Sequence, residues 1–284
     1  MLSDPSRIAA AIARAKAQGR GAIVPFVVLG DPDLDTSDGL LRAMVEGGAD
    51  ALELGLAFSD PPADGPVIQA AATRALRAGV RVDDAFALLR RHAERSAVPV
   101  SLLVYWNLVL QRGVERFYGE CAAAGVDAVL VADLPLEEAT AALEAARRHG
   151  VAAVLLVTPL TSESRLRAVA AAGSGYLYVA ARVGVTGERS GVEAGLAHEI
   201  ARIRAVSTLP LLCGFGIAGP TEVRAVAEAG ADGAIVGSAV ARRIEAHLGD
   251  PAAMINAVRS FVGELRAASG RPAQGTPSRG GPQC

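Results

Sequence analysis

The stretch Gly48-Ala49-Asp50-Ala51-Leu52-Glu53-Leu54 decides the architecture, because it is one copy of a pattern that runs through the chain. A helical segment ends in glycine and a short apolar run follows at once. The pattern returns at Gly125-Val126-Asp127-Ala128-Val129-Leu130-Val131, at Gly150-Val151-Ala152-Ala153-Val154-Leu155-Leu156 and at Gly230-Ala231-Asp232-Gly233-Ala234-Ile235-Val236. Apolar runs without polar alternation are strands buried on both faces, as in a parallel sheet covered by helices. Working outward, the strands read as 22–29, 51–54, 98–104, 128–131, 152–157, 176–180, 209–213 and 233–236. The intervening segments, among them 36–46, 113–123, 136–148 and 221–228, carry Ala, Leu, Glu and Arg at the helical period. Eight strand-then-helix units in 284 residues read as an α/β chain forming a single closed (β/α)8 TIM-type barrel over residues 1–268, with an open doubly wound sheet as the alternative. An extra N-terminal helix precedes the first strand: Asp4-Pro5 read as its cap, Ile8 and Ile12 as its apolar stripe, and Gly19 and Gly21 as its end. The tail from Ser269 to Cys284 is rich in Gly, Pro and Ser, has nothing to bury, and reads as disordered.

Composition narrows the function. With 51% hydrophobic residues the chain can bury a large core, and a net charge of −2 with arginines and acids interspersed gives no nucleic-acid surface. No apolar run reaches membrane-spanning length, and the first twenty residues lack the apolar centre of a signal peptide. A cytoplasmic, small-molecule enzyme with no membrane partner is the expectation. Cys121, Cys213 and Cys284 are odd in number and widely spaced, against both a disulfide framework and a structural zinc site. Lys16 is the only lysine and falls in the N-terminal helix, so imine chemistry has no plausible nucleophile. The four histidines, His92, His149, His198 and His247, fall in helical stretches far from strand ends, against a catalytic metal site or a histidine base. Neither metal nor cofactor is expected. Carboxylates, hydroxyls and backbone amides remain.

Two carboxylates stand out. Glu53 interrupts an apolar strand, and Asp64 follows on the loop Phe58-Ser59-Asp60-Pro61-Pro62-Ala63-Asp64-Gly65-Pro66, which prolines stiffen. One reading of a buried glutamate is purely structural, satisfied by amides or an arginine. As a catalyst it would have its pKa raised by apolar walls such as Leu52, Leu54 and Phe26, while a more exposed Asp64 kept a lower one, the division of labour that proton transfer in C–C cleavage requires. After the last three strands the sequence turns glycine-rich, with Gly184-Val185-Thr186-Gly187, then Gly214-Phe215-Gly216, then Gly237-Ser238. Any one of these could be only a tight turn; three adjacent loops, the last opening a helix, read as a phosphate anchor.

The ordered set Pro25-Phe26-Val27-Val28-Leu29-Gly30-Asp31-Pro32, then Ala49 to Gly55 and Phe58 to Gln69, then the Gly-Val-Thr-Gly, Gly-Phe-Gly-Ile and Gly-Ser-Ala loops, resembles the α subunit of tryptophan synthase from about Gly21 to Ala267. The resemblance implies retro-aldol cleavage of indole-3-glycerol phosphate to indole and glyceraldehyde 3-phosphate, without metal or imine. It implies Glu53 as the proton donor to indole C3 and Asp64 as the holder of the indole N–H. It implies phosphate on Gly187, Gly216, Gly237 and Ser238, and walls from Phe26, Leu103, Tyr105, Leu130, Ala132, Tyr178, Phe215 and Ile235, with Thr186 closing a loop over the substrate. Without it, the aliphatic and aromatic members of that set read as plain core, with Tyr105 and Tyr178 the better candidates because a buried phenol needs a partner. It also implies a β-subunit partner in an α2β2 assembly. The chain departs from the family at Val28 for Thr, Ala57 for Pro, Pro62 for Leu and Ala181 for Ser; Ala57 and Pro62 alter the stiffness of a partner-facing loop, so altered coupling is expected while the chemistry persists. The alternatives are a stand-alone lyase releasing free indole, a sugar-phosphate isomerase or epimerase on the same kind of barrel, and a non-catalytic regulatory subunit.

Overall fold

A computed structural model describes residues 6–180, 189–214 and 216–270. In chain order the elements are α1 (Arg7–Ala17), β1 (Ala22–Val28), α2 (Leu34–Glu46), β2 (Leu52–Gly55), α3 (Pro66–Arg77), α4 (Val82–Arg95), β3 (Val100–Val104), α5 (Trp106–Arg112), α6 (Val114–Ala123) and β4 (Ala128–Val131). They continue through α7 (Thr140–His149), β5 (Ala152–Val157), α8 (Glu163–Ala172), β6 (Leu177–Ala180), α9 (Arg189–Arg204), β7 (Leu211–Gly214), α10 (Pro220–Glu228), β8 (Gly233–Val236), α11 (Ser238–Ala246) and α12 (Pro251–Ala268). The eight strands pair in parallel in sequence order and β1 closes on β8, so the barrel is complete and the open-sheet alternative falls.

Period-two alternation sorts the strand residues into two cores. Ala22, Val24, Phe26 and Val28 of β1 point inward with Leu130, Val154, Tyr178, Leu212 and Ile235, whereas Ile23, Val27 and Leu29 pack outward beneath the helices. Ile8, Ile12 and Ala15 of α1 join the inner cluster and cover the mouth where the strands begin. Its cap is Ser6, whose Oγ accepts the Ala9 amide at 3.4 Å; the expected cap residues Asp4 and Pro5 lie outside the described residues.

At that mouth the Gly-x-Asp repeats have a common function. Each aspartate exchanges hydrogen bonds with the first residue or two of the preceding strand: the Ile23 amide donates to Asp50, Val100 to Asp127 and Leu211 to Asp232, each at 2.9 Å. Their own amides donate back to the carbonyls of the same residues. Ser174 makes the same exchange with Ala153, at 2.8 Å in both directions. Arg20 binds Asp50 through two nitrogens at 2.6 and 2.7 Å, Arg7 lies 3.3 Å from Asp127, and Lys16 and Arg204 both reach Asp232.

The expected boundaries shift where local chemistry dictates. β3 and β7 begin after Pro99 and Pro210 rather than before them, because proline has no N–H for the ladder. The expected helix over 136–148 is a 3₁₀ turn, Leu136–Glu138, followed after Ala139 by α7. The chain stays packed two residues beyond 268: Ser269 is fully buried, its carbonyl accepts the Gly21 amide at 2.8 Å, and Gly270 bridges to Arg20. The remainder of the tail, 271–284, lies outside the described residues. Among the described residues no helix is long and apolar enough to cross a membrane, and Cys121 and Cys213 are buried free thiols.

Candidate active site

Glu53 sits on β2 in register with Phe26 on one side and Ser101 on the other, facing into the barrel. It is 1% exposed, and burial pushes its carboxyl up to about 8; nearby Asp64 adds to the rise, against the Tyr176 hydroxyl, which favours the ionised form. Tyr176, the residue before β6, donates from its hydroxyl to Glu53 Oε1 at 3.0 Å and lies 3.0 Å from Ser101 Oγ. Ser101, Tyr176 and Glu53 therefore form a short buried hydroxyl-carboxyl chain inside the barrel. Burial therefore favours the protonated form of Glu53, the form that can give a proton away.

Asp64 is held differently. Its loop ends at Gly65, which caps α3, with Pro66 as the first helical residue. The Gln69 side-chain amide donates to the Asp64 carbonyl at 2.8 Å and the Asp64 amide donates to Pro61 at 3.3 Å, so the backbone is fixed while the carboxylate faces the cavity. Burial raises its pKa, and the Tyr105 hydroxyl opposes that rise. Tyr105 is itself buried, stacks on Phe58 at 5.4 Å, and has no hydrogen-bond partner of ordinary geometry among the described residues, so its hydroxyl acts on Asp64 through proximity.

Both acids line one cavity of about 330 Å³ at the end of the barrel where the strands finish. Of the residues singled out by sequence, Phe26, Leu103, Leu130, Ala132, Tyr178 and Ile235 form its walls, and Gly216, Gly237 and Ser238 line it where α11 begins. Two close approaches need glycine: a Cβ on Gly214 would collide with the Tyr178 hydroxyl, and one on Gly55 would lie 2.8 Å from the Phe26 ring. The first amides of α11 have no intrahelical acceptor and favour an anion there. Tyr105 supports Asp64 from outside the lining, whereas Thr186, Gly187, Phe215 and Ala181 lie outside the described residues. Val28 is buried in the inner core near Gly55.

Sequence reasoning missed Tyr176, Ser101, Leu156, Ile217 and Arg242. For Ser101 a signal existed, since a hydroxyl in the middle of an apolar strand needs a partner. Leu156 continues the inward alternation of Ala152 and Val154. Among the described residues no group of three His, Cys, Asp or Glu side chains is placed to hold a metal ion.

The family model for the tryptophan synthase alpha chain matches residues 12–270. The tryptophan synthase alpha chain of Cronobacter sakazakii is 48% identical over 257 residues, covering 90% of this chain and 96% of that relative. That of Methanothermobacter thermautotrophicus is 46% identical over 249 residues, covering 88% and 92%. Among solved structures, the tryptophan synthase alpha chain of Legionella pneumophila superposes with a TM-score of 0.84 at 33% identity, over 93% of this chain and 97% of that one. A chain of Mycobacterium tuberculosis tryptophan synthase gives 0.84 at 33% identity, over 95% and 100%.

Proposed function

The chain belongs to the tryptophan synthase alpha chain family, and from that footing we propose how its own residues perform the family's lyase reaction, cleavage of indole-3-glycerol phosphate to indole and glyceraldehyde 3-phosphate in tryptophan biosynthesis. The observation that carries the assignment is a buried Glu53, its carboxyl pushed up by burial, sharing one cavity with Asp64, at whose other end a helix begins with Gly237-Ser238.

Glu53 gives its proton to indole C3, and the ring becomes an indoleninium cation. Asp64, as carboxylate, accepts the indole N–H and stabilises that positive charge. The hydroxyl on the side-chain carbon next to the ring then loses its proton to the Glu53 carboxylate and becomes the aldehyde. The bond between that carbon and indole C3 breaks, and its electron pair returns to the ring, restoring indole. Protons and electrons balance, and Glu53 ends as it began. Tyr176 supports both states of Glu53, because a hydroxyl that donates to the carboxylate can accept from the acid. The phosphate rests on Gly216, Gly237 and Ser238, with Gly187 as the further expected contact. Each positioned proton transfer contributes about 10²–10⁴-fold.

A β subunit is the proposed partner, in an α2β2 assembly, and a cytoplasmic location is proposed for the same enzyme. Ala57 lies beside a second cavity, formed with Leu29, Leu56, Phe58, Val80 and Leu108, and Pro62 is exposed on the following turn. Losing one proline and gaining another moves the stiff point of this loop toward Asp64, which supports weakened coupling to the partner. The test is indole release from indole-3-glycerol phosphate by the purified chain, alone and with a tryptophan synthase β subunit. Release that rises on adding the partner by clearly less than in relatives with proline at position 57 is expected. A full response would remove the loop argument, and no release in either case would remove the lyase assignment.

A further inference from the structure

We propose that Arg242 is a substrate-binding residue that contacts the phosphate of the substrate and sets the preference for a phosphorylated ligand. This rests on the reading of the main cavity as the site of a phosphate monoester. Arg242 lines that cavity beside Gly237 and Ser238, and it is the one cation among the described residues that do so. It is the fifth residue of α11, whose first is Ser238. Side chains on a helix lean toward its N-terminus, so an arginine here extends back over the first turn, where the free amides point.

The neighbouring arginines are committed elsewhere. Arg243 donates to the Ala239 carbonyl at 2.9 Å and lies over the Phe261 ring at 3.1 Å. Arg74 is bound through two nitrogens to the buried Asp31, at 2.7 and 2.9 Å, and lies 3.8 Å from Glu245. Arg242 has no ion pair or hydrogen bond among the described residues, although it is exposed and free to find one. Charge explains why a cation belongs here. A phosphate monoester brings about −1.5 to −2 charges at neutral pH, whereas a helix N-terminus offers the equivalent of only about +0.5. The same cavity holds two carboxyl groups whose pKa values are already raised. An exposed guanidinium at the rim offsets the remaining charge without pairing with either acid, and its planar fork matches phosphate oxygens.

The experiment compares the full chain with Arg242→Gln and Arg242→Lys in two measurements. Calorimetric binding of glycerol 3-phosphate needs no turnover, and steady-state cleavage of indole-3-glycerol phosphate reads KM and kcat separately. Arg242→Gln is expected to weaken glycerol 3-phosphate and raise KM about five- to tenfold, a loss kept modest by the exposure of the arginine. It should leave kcat within about twofold and the binding of uncharged indole unchanged. Arg242→Lys should recover most of the loss, and added salt should weaken the wild type more than the glutamine variant. Equal affinity for glycerol 3-phosphate in wild type and Arg242→Gln, or no binding by the wild type, overturns the proposal. If the wild type binds glycerol 3-phosphate through Arg242 but releases no indole, the lyase reading fails and the arginine assignment stands.

Discussion

At the end of the barrel where the strands begin, Asp50, Asp127 and Asp232 each accept a backbone N–H from the neighbouring strand and each has an arginine or lysine beside it. At the end where the strands finish, Glu53 and Asp64 have hydroxyls and apolar walls but no cation partner among the described residues. The side-chain chemistry is the same, and the surroundings divide the labour. A carboxylate that accepts an amide and has a cation beside it ties two strands together. Glu53, with neither, is driven toward its neutral form and becomes available for proton transfer. The division is graded, since burial also raises Asp127, against the Val100 amide and Arg7. It follows the polarity of (β/α)8 barrels, with stability at one face and chemistry at the other.

The largest test of this contrast is Glu53→Gln, which keeps the shape and removes the transferable proton. Indole release should fall by about 10²–10⁴-fold or more while KM changes little. The same variant should alter stability in the direction opposite to a paired acid. Burial pushes Glu53 up to about 8 in the folded chain, from an ordinary value of 4.5. The folded state therefore binds more protons between those values, and the contribution of Glu53 to stability is complete below the lower pKa and is lost as pH rises through the higher. Melting curves should show Glu53→Gln gaining on the wild type between pH of about 5 and about 9. A constant difference would mean that Glu53 is not held neutral.

Asp50→Ala is the mirror experiment at the other end. It removes the carboxylate partner of Arg20 and the acceptor of the Ile23 amide, and should cost about 3 kcal/mol in urea unfolding. Below the melting transition, kcat should stay within about twofold. A large kcat loss in the folded variant would break the separation of the two ends. A smaller effect belongs to Tyr176→Phe, which removes a donor that favours the ionised Glu53. The Glu53 pKa should rise further, the alkaline limb of the pH–rate profile should move to higher pH, and kcat should fall about fivefold, the value of one ordinary hydrogen bond. An unmoved alkaline limb would detach Tyr176 from the proton transfer.

Much of this contrast is legible in the chain itself. Glu53 announces itself as the one charge in an apolar run, and Asp64 as the carboxylate ahead of a Gly-Pro turn. The Gly-x-Asp repeats mark the strand entries, although nothing local says that their aspartates reach back one strand to clamp it. The polar support of Glu53 was less visible, because Tyr176 reads as the first residue of a buried strand and aromatic residues are common there. Arg242 was hidden among the arginines of an amphipathic helix. Only the position of α11 at the mouth of the cavity separates it from Arg243, which packs on Phe261.

By itself the sequence determined the strand–helix alternation, the barrel it closes into and the two acids at its centre, because hydrophobic periodicity, glycine helix ends and a charge in an apolar run are properties of a few adjacent residues. Tertiary structure alone decided that Tyr176, 123 positions from Glu53, donates to its carboxylate, and that Ser101, 75 positions from Tyr176, completes the chain. The physical reason is register. The stagger of eight closed strands sets which inward side chains share a layer, and that stagger is a property of the closed sheet rather than of any strand in it.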